Sequence, residues 1–445
     1  MRTFVTAIRD PWLLPAVLAV SVSAAPAFAQ QIVQAPEPVE SATKPAPEDQ
    51  PVGERFHPEY EAPGFRFGSY VVKPSIDVGE IFNSNILGSQ DFERSDFITQ
   101  VRPAVSLASD WDSNALSLLA QGDIQRYARY SSEDVDNMLL RGDGRIDLAR
   151  GQTLAINASY QIAHESRYSP ESLAAAGATG GGFYARYPTE YSLATGQVTY
   201  VYAPRRLGFE LQAAVNDYQY TNQPTFNGGL SIEGDLNRRE YSISPKLTFE
   251  VGPGYQVFAE GWGNFREYKA PDATPAHFRR SSAGYALAVG TKLDLGKLIT
   301  GEIYLGYQDQ RYDDARLDAN SGIYLGGAVR WNITRLTSVK FAVSRAIQET
   351  IVPGSSGYWD TQATVTADHE LLRNIILTAQ GGYELQEYQG IGLNNSTATA
   401  QIGGRWKLTQ DYSVGVSAGL QRRWSNQAFN SFTQALIGID FKAAF

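Results

Sequence analysis

The feature that most limits this chain is an alternation of apolar and polar residues that recurs from Ser69 to the last residue. In 299–310, Ile299, Ile303, Leu305 and Tyr307 oppose Thr300, Glu302, Tyr304, Gln308 and Gln310. In 240–251, Tyr241, Ile243, Leu247, Phe249 and Val251 alternate with Glu240, Ser242, Ser244, Lys246, Thr248 and Glu250. The chain ends the same way: Ala435, Ile437, Ile439, Phe441 and Ala443 lie on one face, with Gly438, Asp440 and Lys442 between them. A period of two is a strand with one greasy and one wet face. The pattern predicts about eighteen strands, from 69–83 and 96–109 through to 411–424 and 431–445, with about sixteen as the alternative.

The connections carry a second rhythm. Very short ones (Arg150-Gly151, Gly252-Pro253, Gly296, Thr334-Arg335, Gln410) alternate with longer ones (84–95, 167–188, 222–236, 270–279, 350–356, 389–395). A β-sandwich has no reason to keep that order. A soluble barrel of this size would enclose a dry cavity too wide to fill. No stretch reaches the ~18 consecutive apolar residues of a spanning helix, and lipid offers free backbone groups no partner. The expected fold is therefore all-β: a transmembrane antiparallel up-and-down barrel, in an outer membrane, with both termini on the short-turn, periplasmic side. Several strands exceed the ~9–11 residues needed to cross lipid, so the wall is expected to project on the outer side. Tyr70, Trp331, Trp359, Trp406, Tyr412 and Trp424 near strand ends suit interfacial girdles.

The amino terminus reads as an export signal. Arg2 and Arg9 precede the apolar run Trp12 to Val22, and Ala27-Phe28-Ala29 supplies a small-x-small cleavage site. The expected division is a signal peptide at 1–29, an extended or disordered Pro-rich periplasmic leader at 30–67, and the barrel at 68–445. The leader is too short for a folded plug, yet it is able to enter the lumen or meet a periplasmic partner. Arg2, Arg9 and Asp10 carry a net +1, so removing the signal takes the formal charge from -9 to -10. Mild acidity argues against nucleic acid as a partner. With 0 Cys there is no disulfide, thiolate or lipoprotein anchor. A mean hydropathy of -0.29 fits strands that give half their positions to a polar lumen.

Assigning the apolar face to lipid leaves a lumen of mixed charge. One strand supplies Arg141, Asp143, Arg145 and Asp147; others add Arg102, Asp123, Glu260, Arg266, Glu302, Arg330, Lys340, Glu384, Arg405 and Arg423. Opposite charges also hold a porin wall in shape, and that reading competes with a binding track at each position. Neither sign dominates, so strong selection of phosphate or small cations is not indicated. Trp262 and Tyr304, with Tyr218, Tyr220, Tyr268, Tyr324 and Tyr388, place flat rings among hydrogen-bonding groups, as sugar rings require. His57, His164, His277 and His369 are scattered without metal-ligand spacing, His164 and His369 falling near strand ends as solvated side chains. Gly180-Gly181-Gly182 lacks a following Lys. No catalytic set or cofactor site is expected. Loop 167–188, with Ala174-Ala175-Ala176-Gly177, is a candidate lid or inward-folding constriction. Phe441 and the terminal Phe445 form a candidate insertion signal for the barrel-assembly machinery.

Pro74-Ser75-Ile76 followed by Phe82-Asn83-Ser84-Asn85-Ile86, then Asp96-Phe97-Ile98 and Val101-Arg102-Pro103-Ala104-Val105, resemble a family of outer-membrane β-barrel porins. Arg145-Ile146-Asp147-Leu148, Glu165-Ser166-Arg167 and Pro188-Thr189-Glu190-Tyr191 extend the likeness, which covers roughly 68 to 445. The resemblance implies an association with exopolysaccharide or capsule gene sets and the outer-membrane step of polymer secretion. Its implied partners are outer-membrane lipid, the polysaccharide and a periplasmic export component. The readings that remain beside export are a general or small-solute uptake porin and a structural or adhesive barrel acting through its outer loops.

Overall fold

The computed structural model describes residues 52–445 apart from 56, 170–184, 226–227, 232–233, 270–277, 297, 353 and 428–429. The expected signal peptide, residues 30–51 of the leader, Ala174 to Gly177, Gly180 to Gly182 and His277 lie outside the described residues. Eighteen long strands follow one another: β1 (Tyr70–Asn83), β2 (Asp96–Ser109), β3 (Ala115–Tyr127), β4 (Val135–Ala149), β5 (Gln152–His164), β6 (Glu190–Tyr202), β7 (Leu207–Tyr220), β8 (Arg238–Gly252) and β9 (Tyr255–Tyr268). They continue as β10 (Ser282–Leu295), β11 (Ile299–Tyr312), β12 (Asn320–Thr334), β13 (Thr337–Gln348), β14 (Tyr358–Leu372), β15 (Ile375–Tyr388), β16 (Asn394–Lys407), β17 (Tyr412–Ser425) and β18 (Phe432–Ala444). Each pairs antiparallel with the next, and β18 closes on β1 with Asp440 opposite Gly79 and Lys442 opposite Asp77. Closure satisfies the edge groups that an open sheet would leave bare. The count is eighteen, not sixteen.

The connections divide between two rims. One carries 110–114, 150–151, 203–206, 253–254, 296–298, 335–336, 373–374 and 408–411, two to five residues each, together with the C-terminus. The other carries 84–95, 128–134, 165–189, 221–237, 269–281, 313–319, 349–357, 389–393 and 426–431, five to twenty-five residues each. Tight turns impose backbone demands. Gly254 sits at φ 72°, and a Cβ there would collide with the Asp294 carbonyl of the neighbouring strand.

Residues with alternate parity point outward. Val289, Leu305, Ile402 and Ile437 are 57–66 % exposed, as lipid-facing side chains are in the absence of lipid. The apolar belt is not centred on the wall. Trp331, Trp406, Tyr412 and Tyr202 ring it close to the short-turn rim, while Tyr241, Phe265, Tyr285 and Tyr307 ring it well inside the long-loop ends. From Tyr241 to Phe249 is about 27 Å of strand at ~3.4 Å per residue, or ~20 Å of membrane normal at the usual tilt. Beyond the upper ring the outward positions include paired charges. Arg239 pairs with Asp217 at 2.5 Å, Arg311 with Asp309 at 2.9 Å and Arg126 with Asp136 at 2.7 Å. The wall thus rises out of the apolar zone on the long-loop side. Trp359 departs from its expected girdle place: it is 3 % exposed with the Arg345 guanidinium 4.8 Å over its ring, because loop 349–357 folds inward at that strand end.

Candidate functional site: the lumen

The inward parity places every charged or aromatic side chain predicted for the lumen on the inner face, at three levels. At mid-height a cavity of about 830 Å³ is lined by Arg102, Arg330, Lys340, Glu384 and Arg405. Arg102 pairs with Asp77 at 3.0 Å and Arg405 with Asp440 at 2.8 Å. Between these charges β14 to β16 present Thr364, Thr366, Thr378, Gln380, Thr399 and Gln401 to the same space. That wall is rich in hydroxyl and amide donors and acceptors, and within it the Thr378 hydroxyl donates to the Asp368 carboxylate at 2.7 Å.

The other predicted residues do not open onto this cavity. On β4, Arg141 grips Asp143 at 2.8 Å and Arg145 reaches Asp147 at 3.2 Å, with Asn157 donating to Asp143 at 2.6 Å. Across β8 to β11, Lys246 bonds Glu302 at 2.6 Å and lies 3.9 Å from Glu260 and from the Phe258 ring centre. Asp123 accepts from Gln100 at 2.5 Å, Gln125 at 2.8 Å and Asn137 at 3.3 Å. These contacts build the wall, each charge being met by an opposite charge or, for Asp123, by three amide donors. Trp262 faces inward opposite Ala286, and Tyr304 meets Tyr324 hydroxyl to hydroxyl at 3.2 Å.

At the long-loop level the described loop residues fold inward. Glu349 receives the Arg266 guanidinium and the Tyr268 hydroxyl, the latter at 2.8 Å, and pulls loop 349–357 inward. Ile351 then packs on Tyr218, Tyr220 and Leu236, and Arg280 donates to the Ser355 carbonyl at 2.9 Å. Tyr218, Tyr220, Tyr268 and Tyr388 are at most 8 % exposed, so these rings support loops and present no open stacking face. Arg423 likewise does not face free lumen. It donates to the Tyr168 carbonyl at 2.7 Å, and the Tyr168 ring stands 4.8 Å from Phe432. Tyr168, just past β5, therefore reaches inward to β17 and β18. Burial pushes the Tyr168 hydroxyl far above its ordinary pKa, keeping it neutral. On the rim outside, the Arg316 side chain bonds Asp314 at 2.6 Å and holds its carboxyl well below the usual carboxylate range.

Residues 57–445 match the family described as "Putative beta-barrel porin 2". The chain belongs to that porin family. No functionally curated protein matches it. Among solved structures, this porin is similar to the ferric enterobactin receptor of Pseudomonas aeruginosa solved with enterobactin, at 9% identity and TM-score 0.44, covering 84% of this chain and 81% of that one. It is also similar to OpdK of Pseudomonas aeruginosa with vanillate, at 11% identity and TM-score 0.43, covering 84% and 99%. The FrpB iron transporter of Neisseria meningitidis gives 7% identity and TM-score 0.44, covering 84% and 81%.

The sequence did not single out Glu349, Lys246, Asp77, Asp440 or the acceptor Glu370. Lys246 and Asp440 stood on the polar parity of their strands, and searching for their complements across neighbouring strands would have found Glu302 and Arg405. Glu349 lies beyond the last residue of β13, where no period applies. His164 is not solvated as expected: its side chain is 14% exposed and its Nδ1 is 2.9 Å from the Asn137 amide oxygen. His369 is exposed near Thr337.

Proposed function

We propose that this porin is an outer-membrane channel through which a hydrophilic exopolysaccharide leaves the cell. The observation that carries the reading is the hydroxyl- and amide-rich cavity wall of Thr364, Thr366, Thr378, Gln380, Thr399 and Gln401. Hydroxyls and amides exchange hydrogen bonds with sugar hydroxyls singly and weakly, at a net ~0.5–1.5 kcal/mol each, which lets a long polymer bind and slide. Export places the short-turn rim and both termini in the periplasm and the long loops outside. Lipid surrounds the apolar belt, the barrel-assembly machinery takes β18 with Phe441 and Phe445, and a periplasmic export component meets the short-turn rim. No catalytic residue or cofactor is assigned.

The test is deletion of the gene in its own host with polymer measured in the periplasm and the medium. Polymer should accumulate inside; unchanged secretion removes the proposal. A general uptake porin is the second reading, against which the inward contacts of loop 349–357 count, and planar-bilayer recording separates the two. A wide, permanently open conductance supports uptake, and a small, intermittent one supports gated export.

A further inference from the structure

The described residues of 52–61 run along the inside of the barrel at the short-turn level. Val52 is 1% exposed, and its N–H donates to Ser338 Oγ of β13 at 2.9 Å. Gly53 lines the central cavity, where a Cβ on it would stand 3.6 Å from the Asp368 carboxylate of β14. Arg55 pairs with Glu370 of β14 at 2.7 Å, with side chains 14% and 6% exposed, and His57 lies 3.7 Å from the same carboxylate. On the far side Lys407 of β16 reaches Glu61 at 3.1 Å, and Gln410 donates to the Pro58 carbonyl at 2.7 Å. The segment is thus held from β13 and β14 on one flank and from β16 and the following turn on the other.

The chemistry of that grip is informative. Among the described residues of 52–64, only Val52 and Ala62 are buried apolar side chains. A permanent plug would bury several, since apolar burial is what makes an element costly to remove. Here the hold is ionic and hydrogen-bonded, and withdrawal returns each partner to water. We propose that residues 52–61 are a withdrawable gate, latched by Glu370, that closes the short-turn mouth of the central cavity. The inference rests on the channel reading and names the regulation of that same lumen.

The chain has 0 Cys, so a single Gln401→Cys reports access to the cavity alone. Its reaction rate with a bulky hydrophilic maleimide is measured on the full-length protein in detergent. Arg55→Gln or Glu370→Gln should raise the rate roughly tenfold or more, as expected for losing one hydrogen-bonded charge pair. A Gly53→Cys/Asp368→Cys pair, closed with diamide, should hold the rate at or below that of the parent carrying Gln401→Cys alone. Equal rates in parent, latch variants and crosslinked protein overturn the gate. Should Glu370→Gln fail to fold, Arg55→Gln decides alone, because it changes no residue of the barrel wall. Rates that respond as expected in a protein that never conducts ions would remove the channel reading and leave the gate standing.

Discussion

Glu133 and Arg167 form the kind of contact that decides a loop's place. Arg167 donates through Nε at 2.6 Å and Nη2 at 2.8 Å to the two oxygens of Glu133, and both side chains are at least nine-tenths buried. Glu133→Ala strands a buried guanidinium and is expected to cost about 3–5 kcal/mol, read as a fall in the temperature at which the folded band converts in heated electrophoresis. An unchanged conversion temperature would mean that water replaces the carboxylate freely. Gly88 is a second such point. At φ 54° it takes a conformation that suits glycine, and a Cβ on it would overlap the Tyr168 ring. Gly88→Ala should therefore dislodge Tyr168 from Phe432 and Arg423 while leaving the strands intact, and quenching of tyrosine fluorescence by an added solute should increase.

Among elements, β18 and loop 349–357 show the difference between a strand and a connection. The outward side chains of β18 include Phe441, and the chain ends on Phe445, both more than two-fifths exposed. Deleting Phe445 leaves the closing register with β1 and β17 intact yet should lower the fraction of protein inserted in the outer membrane; the heat-modifiable fraction measures it. Loop 349–357 has no such autonomy. It is held by Glu349 to Arg266 and Tyr268 and by Ile351 to the tyrosine cluster. Removing 350–356 in a protein also lacking 52–61 should widen the pore, and single-channel conductance should exceed that of either deletion alone. Equal conductances would show that neither segment limits the passage.

At the scale of the whole barrel, a greasy exterior and a polar interior make opposite demands on one substitution. Leu305 stands mid-strand on the outer face and is 57% exposed, whereas Gln401 stands mid-strand on the cavity wall. Leu305→Arg should cost about 2–4 kcal/mol of folding free energy, and Gln401→Arg close to none. A urea titration of refolding into lipid vesicles measures both, and the reverse order would contradict the orientation of the wall.

Strand identity was open to reading because it is local. Each residue of 299–310 or 435–443 shows its face through neighbours two positions away, so the number, bounds and facing of the strands followed from pattern and turn residues. The inward parity of Arg102, Glu302 and Arg405 followed in the same way. What the alternation left hidden was whether an inward residue meets open lumen. Tyr218, Tyr268 and Arg423 were expected to line a passage, and loops cover them. Trp359 was expected at a membrane interface and lies buried beside Arg345. The deciding contacts join residues far apart: Arg266 and Glu349 are 83 positions apart, and Arg55 and Glu370 are 315. The chain alone determined a closed membrane barrel with a wet interior, since backbone pairing and a period of two leave lipid no other solution. Only the closed ring decided how much of that interior stays open, because closure brings loops and the amino-terminal segment within reach of charges that no local pattern connects.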